Sequence, residues 1–485
     1  MKKIFKSAAV ILSALSLASC QDILDIPSET AWGAGNFPTT ESHIKGLLYG
    51  GYDNLQSALG TDFIRYGEAR SDNFDLAKEN NDTWKQILNN TLDTGISGSS
   101  WSSFYNVIKQ ANLVIDNIDK VRETSGVKNY NSYLGQAKVM RAFAYFWIVR
   151  IWGDAPLVKK AYAKSGDIEN LGRAPQAEIL AFLKDDLLSA RSLLNSKSYE
   201  RTTFSHAAAN AILAQVYAWE HDWVNTVNYA NSVIGSAGYK LVSLYDSEID
   251  PNLASFVEEV LPNLEYSRMF NSSGLDETIF EMAYNYADNE TNDGLFNLLS
   301  YTNHPLKPFD TLYEAFEMGD WRYQVCFYKA DGTRSTKMLM NYTRQSMAHS
   351  IVLLRLAETM LLKAEALANI NDTETDSEAK AKNTKEILDI LNAIRVRAGG
   401  DSFKYDEEEF KTLPQDTVKD LIAKERRVEL FCEGHRYFDL YRTGKLAEVM
   451  GPINGQTNLD SFWWPVNLSE IRRANGRITQ NEYYK

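Results

Sequence analysis

Apolar residues recur at helical spacing along most of this 485-residue chain. Positions three and four apart share one face of an α-helix, so this pattern predicts amphipathic helices. It occurs at about 42–55, 101–121, 133–152, 175–196, 203–220, 222–236, 349–370, 385–398 and 416–433. The chain is therefore predicted to be mostly α-helical, with the acid-rich stretch 371–385 as a solvated connection between two helices.

Two of these predicted helices have special compositions. The helix at 133–152 is apolar nearly all round, which places it inside the fold. The helix at 203–220 is rich in alanine and ends with Tyr217 and Trp219, which should reach the next helix at Tyr229. Helix pairs of about 34 residues with such small and aromatic positions are similar to tetratricopeptide units. A helical bundle without repeat-like units is the alternative.

The N-terminal residues are typical of an exported, lipidated protein. Lys2, Lys3 and Lys6 precede an apolar run at 8–18, which is too short to span a bilayer. Small residues then lead to Cys20, as in a lipoprotein cleavage site. We expect Cys20 to become the first residue and to carry acyl chains that anchor the protein. An ordinary signal peptide that happens to end in cysteine is the alternative.

The helical pattern is lost between about 237 and 345, where proline, asparagine and aspartate are frequent. Irregular insertions of this length inside a compact domain are usually functional. We therefore predict a signal peptide at 1–19, a lipidated tether at 20–40 and one helical domain at 41–485. Within that domain, helical parts at about 41–240 and 346–485 would flank an irregular ligand-loop region at about 241–345.

Charge and composition exclude some partners. The formal charge is −13, and removal of residues 1–19, which contain three lysines and no acids, lowers it to about −16. This acidic excess without a basic cluster argues against nucleic acid and anionic lipid as partners. Aromatic residues make up 12% of the chain, with 10 Trp and 26 Tyr, so some rings should serve binding. Cys326 and Cys432 could form one disulfide, but small buried side chains are the expectation.

Glu425, Glu429 and Glu433 lie four apart on the predicted helix at 416–433. Carboxylates stacked in this way repel one another unless cations lie between them, so we expect a packed ion-pair network with the adjoining arginines. Catalytic carboxylates are the alternative, but they would need a cleft. The glutamate before Gly434 and His435 suggests a metal, yet the six histidines are scattered, so we expect no metal site and no cofactor. The sequence contains no serine elbow, P-loop or dinucleotide fingerprint.

Several segments together resemble the SusD/RagB family of outer-membrane nutrient-binding lipoproteins. They are AFAYF at 142–146 with IWGDAPL at 151–157, LAETMLLKAEA at 356–366, LNAIRVRAG at 391–399, ERRVELFCEGHRYFDL at 425–440 and WPV at 464–466. With the lipoprotein signal, these segments span nearly the whole chain in the family's order. The resemblance implies a single mostly α domain built on tetratricopeptide-like helix pairs.

The same resemblance implies a function at the outer membrane, with the protein facing the cell exterior. SusD-like proteins bind oligosaccharides and deliver them to a SusC-like TonB-dependent transporter, and they are not enzymes. RagB-like members take up oligopeptides, which is the alternative ligand. A surface glycoside hydrolase is an alternative of a different class, and it would need two carboxylates about 5–9 Å apart in a cleft.

In this family, aromatic side chains on irregular segments hold the ligand, so no binding residue transfers from the motifs. A pyranose ring stacks its apolar face on Trp or Tyr, and its hydroxyls bind Asn, Asp or Arg. Most tryptophans fall in predicted helices or motifs and are expected in the core. The remaining ligand-binding candidates on polar or irregular sequence are Trp84, Trp321, Tyr301, His304, Tyr284 and Tyr286. For each, an aromatic or polar side chain that only holds its own loop is the alternative.

Overall fold

The computed structural model describes a set of segments that covers most of the chain. These are residues 38–77, 81–162, 171–250, 256–270, 272, 274–285, 290–299, 304–327, 337 and 350–485, except the side chains of 257, 258, 293 and 296. Cys20, Tyr286 and Tyr301 lie outside the described residues. Cys326 and Cys432 are buried and are not joined in a disulfide, in agreement with the expectation of small buried side chains. None of the helices in the described part of the chain combines the length and the hydropathy that a membrane-spanning helix needs.

Eight helices precede the irregular region in the described residues. They are α1 (Glu41–Leu59), α2 (Asp62–Gly67), α3 (Asp82–Leu88), α4 (Ser102–Ser125), α5 (Tyr130–Trp152), α6 (Gln176–Leu193), α7 (His206–Trp219) and α8 (Trp223–Ile234). Successive long helices pack together: α4 on α1 and α5, α6 on α5 and α7, and α7 on α8. The prediction of helix pairs in this part is therefore confirmed.

The remaining elements are shorter before residue 350 and longer after it. The helices are α9 (Glu265–Met269), α10 (Asp293–Leu299), α11 (Asp310–Tyr313), α12 (Trp321–Phe327), α13 (Leu356–Thr373), α14 (Ser377–Gly399), α15 (Glu407–Phe410), α16 (Gln415–Glu429), α17 (Arg436–Arg442), α18 (Leu446–Asn454) and α19 (Leu468–Arg473). A π-helical turn (Phe256–Val260) and 3₁₀ turns (Leu261–Asn263, Asp401–Phe403, Leu459–Phe462 and Glu482–Tyr484) complete the helical elements of the described segments. Helix α13 packs against α8, α14 and α16 and so connects the two helical parts.

Four short strands form two antiparallel pairs in the described residues. Strand β1 (Phe74–Leu76) pairs with β3 (Leu306–Pro308), and β2 (Thr278–Met282) pairs with β4 (Ile351–Arg355). Two details of the sequence prediction were wrong. Residues 351–355 form a strand and not the start of a helix, because they complete a buried pair with β2. The acid-rich stretch contains the start of α14, whose N-terminus is capped by Asp376.

The central helices have the burial that their sequence predicts. Every residue from Val139 to Trp152 on α5 is buried. The alanines of α7 are buried too, and the rings of Tyr217 and Tyr229 stack with their centroids 5.3 Å apart. The predicted contact with α8 is thus confirmed for Tyr217, whereas the ring of Trp219 stacks on Tyr441 of α17 at a centroid distance of 5.6 Å. The protein is a mostly helical single domain, and helix α5 lies at its centre.

Candidate functional site

The segment 53–77 lies against the part of the chain around residues 283–308, whose described residues include the candidates Tyr284 and His304. The β1–β3 pair joins them, with Phe74 opposite Pro308, and the amide of Ala77 donates to the carbonyl of Pro305 at 2.8 Å. A Cβ atom on Gly294 would lie 2.6 Å from Cγ2 of Thr61. A larger residue at this position would therefore force α10 and Thr61 apart. We call this contact region, residues 53–77 with 283–285, 290–299 and 304–308, the junction.

Trp84 lies on α3, next to the junction, but it is not the exposed platform that we predicted. Only 8% of Trp84 is exposed, and the guanidinium carbon of Arg65 lies 5.4 Å from its ring centroid. The side chain of Asn81 caps α3 by accepting from the amide of Trp84 at 3.1 Å. The polar sequence before Trp84 is therefore a helix cap, and the prediction of an exposed ring was wrong because a neighbouring cation covers it.

Trp321 is also buried, with 5% of its surface exposed. It begins α12, and the rings of Tyr245 and Phe256 meet it edge to face, each at a centroid distance of 5.0 Å. The prediction that Trp321 is exposed on an irregular segment was wrong, since aromatic residues distant in sequence cover it. Trp321 packs against Tyr245, whereas Trp84 packs against Arg65.

Among the other candidates, Tyr284 and His304 belong to the junction. His304 is buried just before β3. Tyr284 is half-buried after β2, and burial raises the pKa of its phenol to about 12, so it stays neutral. A Cβ atom on Gly60 would lie 3.2 Å from the phenol oxygen of Tyr284, so this ring lies beside the end of α1.

The junction contains charged residues that the sequence analysis did not select. Arg65 forms an ion pair with Asp62 at 2.8 Å, and burial raises the pKa of the Asp62 carboxyl. Asp53 is exposed at the edge of the junction. The pKa of its carboxyl is raised, mainly by partial burial and then by the negative charge of Glu290. The i, i+3 spacing of Asp62 and Arg65 was the available sequence signal, but such spacing is common on helices.

The carboxylates of Glu425, Glu429 and Glu433 form the predicted buried ion-pair network, although with different partners and with Glu433 in the turn after α16, which ends earlier than predicted. Glu429 accepts from Arg355 at 2.7 Å, from Arg322 at 2.9 Å and from Arg397. Glu433 accepts from Arg355 at 2.6 Å. Despite the opposing effect of burial, these cations hold the pKa of Glu429 well below its usual range. A carboxylate enclosed in this way is structural and has no access to a substrate.

The arginines next to these glutamates bind other acids, because neighbouring residues on a helix point in different directions. Arg426 binds Asp439 at 3.0 Å, whereas Arg427 and Arg436 both bind Asp72, at 3.1 and 2.8 Å. The prediction that they interleave the glutamates of α16 was wrong in this respect. Instead, Arg427 and Arg436 fix the turn at Asp72, between α2 and β1, to the 425–442 segment.

Glu68 reinforces this connection. Its carboxylate accepts the backbone amides of Cys432, Gly434 and His435 at 3.0–3.1 Å. Burial raises the pKa of Glu68 to about 7 in spite of these hydrogen bonds. No cluster of three or more His, Cys, Asp or Glu side chains that could hold a metal ion occurs in the segments that the structure describes.

Two family models match the chain. The model of the SusD family matches residues 323–484, and a SusD-like model described as starch-binding and associating with the outer membrane matches residues 28–218. The chain belongs to the SusD family. The resemblance of its sequence motifs to SusD/RagB proteins is thereby confirmed.

Individual SusD-like proteins match along nearly their whole length. SusD-like protein P38 of Formosa agariphila is 28% identical over 100% of this chain and 99% of its own. A SusD superfamily structure from Bacteroides thetaiotaomicron has a TM-score of 0.72 at 23% identity, over 94% of this chain and 100% of that one. A structure named as a laminarin-binding SusD-like protein has a TM-score of 0.71 at 21% identity, over 92% and 100% of the two chains. At these identities, the two structures establish the SusD fold.

Proposed function

We propose that this SusD-family protein binds oligosaccharides at the cell surface and delivers them to a SusC-like TonB-dependent transporter. The observation that carries the proposal is the match of residues 28–218 to a family described as starch-binding and associating with the outer membrane. The laminarin-binding relative, which shares the fold, supports the same ligand class. An oligopeptide, as in RagB-like uptake, is the alternative ligand.

The proposed ligand face is the junction. Half-buried Tyr284 offers part of an aromatic ring, and the carboxylates of Asp53 and Glu290 lie close enough to each other to affect the pKa of Asp53. Such a pair of acceptors suits sugar hydroxyls, and the ring suits the apolar face of a pyranose. Tyr286 and Tyr301 border the described parts of this region in sequence and remain predicted ligand contacts.

Trp84, Trp321 and His304 have a different role in this proposal. Their burial leaves at most an edge for a ligand, so Trp84 and His304 support the surface on which other residues bind, and Trp321 packs against Tyr245 and Phe256. Arg65 is more exposed to solvent than these three candidates, with 15% of its side chain accessible. We therefore propose Arg65 as the polar neighbour that a bound sugar contacts above Trp84.

We also propose that the protein has no catalytic activity. Arginines enclose Glu429 and Glu433, the glutamates for which a catalytic role was the alternative interpretation. This enclosure supports a structural role for them. The test is an assay for new reducing ends after incubation of the purified protein with each glycan that it binds. Release of reducing ends would contradict the proposal and favour a surface glycoside hydrolase.

The transporter partnership is tested by co-purification. We expect the protein, extracted with mild detergent at its native expression level, to be recovered together with a TonB-dependent β-barrel protein. Recovery as a free monomer under these conditions would contradict the delivery part of the proposal. It would leave glycan binding, which is measured on the isolated protein, as a separate question.

A further inference from the structure

A cavity of about 500 Å³ lies where the start of α5, the end of α6 and the start of α7 meet. This volume is within the usual range for small-molecule sites. Its lining is mostly neutral and polar, with hydroxyl and amide side chains from all three segments. These include Asn131, Ser132, Asn195, Ser198 and Thr203. One cation, Lys128, and one acid, Glu200, also contribute, so the lining has no net preference for a charged ligand.

His206 adds a hydrogen-bond donor of defined orientation to this cavity. Its Nδ1 lies 3.1 Å from Nδ2 of Asn210, and the same amide nitrogen donates to the carbonyl of His206 at 3.0 Å. Because an amide nitrogen donates, Nδ1 must accept, and Nε2 therefore carries the proton. Burial and the nearby charge of Arg191 lower the pKa of His206, which keeps the ring neutral.

The cavity also has an apolar part. Leu194 and Tyr130 contribute to its wall, and the buried ring of Phe204 lies at its base. The combination of apolar surface with several neutral donors and acceptors matches a sugar ring, which has an apolar face and a belt of hydroxyl groups. An anion fits less well, since the carboxylate of Glu41 already accepts the amides of Lys128 and Asn129 before α5.

This cavity shares no residue with the junction, although Tyr52 connects the two: its hydroxyl accepts the amide of the cavity residue Phe204 at 2.8 Å, and Asp53 of the junction follows it in the chain. Helix α5 has 23 residues and is thus about 34 Å long. The ring centroid of its last residue, Trp152, lies 5.8 Å from that of Tyr66. Tyr66 belongs to α2, the same short helix as Arg65. The cavity lies at the opposite end of α5, beside Glu41 at the start of α1, and is on the order of 30 Å from Trp84.

We propose that this cavity is a second carbohydrate site, which binds one or two rings of a neutral saccharide. The ligand class rests on the proposed function, while the position rests on the cavity and on His206. The site lies beside Glu41, where α1 begins.

The test is equilibrium dialysis of the detergent-solubilised mature protein against methyl pyranosides of glucose, galactose, mannose and xylose at millimolar concentration. Ser198→Trp fills the cavity from its half-buried wall and should abolish the binding that the wild type shows there. His206→Leu removes the Nε2 donor and should weaken binding about threefold to tenfold, whereas His206→Gln keeps a donor and should retain most of the affinity. Thermal melting of each variant checks the fold.

The outcomes separate this proposal from the proposed function. If no pyranoside binds the wild type, or if Ser198→Trp and His206→Leu both bind as the wild type does, the second site is refuted. Oligosaccharide binding measured on the same samples should persist in the cavity variants, because neither Ser198 nor His206 belongs to the junction. Oligosaccharide binding together with pyranoside binding that neither cavity variant changes would refute the second site alone. Absence of all saccharide binding would refute both proposals.

Discussion

The guanidinium carbon of Arg65 lies 5.4 Å from the centroid of the Trp84 ring. The arginine is held in place by its ion pair with Asp62, which precedes it by one helical turn. Trp84 therefore packs beneath the junction. Arg65 lies above the Trp84 ring, nearer to the surface of the junction. The most prominent aromatic candidate in the sequence is thus a support for the site, and its removal should affect folding first.

We predict that Trp84→Ala lowers the free energy of unfolding by about 3–4 kcal/mol, because it leaves a cavity under Arg65. Urea denaturation followed by circular dichroism measures this change. Tyr49→Ala is the matched control, since Tyr49 is an aromatic residue with 47% of its surface exposed, and it should change stability by less than about 0.5 kcal/mol. Equal stability of the two variants would show that Trp84 is not packed.

The buried network predicts a large cost for the loss of one carboxylate. Glu429→Gln removes the negative charge that faces Arg322, Arg355 and Arg397, and should destabilise the protein by about 3–5 kcal/mol. Glu408→Gln, at an exposed pair with a lysine, should change stability by less than about 1 kcal/mol. A small effect of Glu429→Gln in urea denaturation would contradict the structural role assigned to the α16 glutamates.

Glu281 gives a prediction about pH. It is buried on β2, and burial raises the pKa of its carboxyl to about 7, well above the ordinary value of 4.5. The folded state therefore binds the proton more tightly, so this stabilisation is complete below pH 4.5 and is lost as the pH rises through 7. Glu281→Gln cannot lose a proton. Relative to wild type, it should gain roughly 2 kcal/mol of stability between pH 5 and pH 8.

Urea denaturation at both pH values checks this gain. Glu68, whose pKa is also raised to about 7, gives wild type and variant the same pH dependence, so their difference isolates Glu281. Glu408→Gln serves again as the control, and its stability relative to wild type should not change with pH. A constant difference between Glu281→Gln and wild type would mean that Glu281 is ionised in the folded protein at both pH values.

The long helices were predictable because each has an apolar face that repeats over several turns. Helix α5 has apolar residues on all its faces, and its burial follows from this alone. The strand Ile351–Arg355 was not predictable in the same way, since a short apolar run fits a strand or a helix. Its identity depends on the pairing with β2, about 70 residues earlier, and the local pattern contains no information about that partner.

The site was harder to predict than the fold for a similar reason. The charges at Glu425, Glu429 and Glu433 correctly indicated a packed network, but their partners include Arg322 and Arg355, which are distant in sequence. The polar surroundings of Trp84 indicated exposure, yet exposure depends on what covers a ring in three dimensions. Both misjudgements arise from tertiary contacts that a local pattern does not contain.

The anchor assignment predicts that Cys20→Ala yields a folded protein that no longer fractionates with the outer membrane. Each buried acyl methylene contributes about 0.8 kcal/mol, so loss of the acyl chains should release the protein almost completely. Membrane fractionation in high salt, in a strain without the partner transporter, measures this release. The wild-type protein in the same strain is the control. A Cys20→Ala protein that stays with the membrane under these conditions would refute the anchor.

The central claim, oligosaccharide capture, is tested most directly by calorimetric titration of the purified mature protein. The titrants are starch-derived, laminarin-derived and other neutral oligosaccharides, with a panel of oligopeptides in parallel. We predict saturable binding of at least one oligosaccharide series, with little heat from the peptides. Saturable binding of peptides with no response to any oligosaccharide would contradict the account and would assign the protein to oligopeptide uptake.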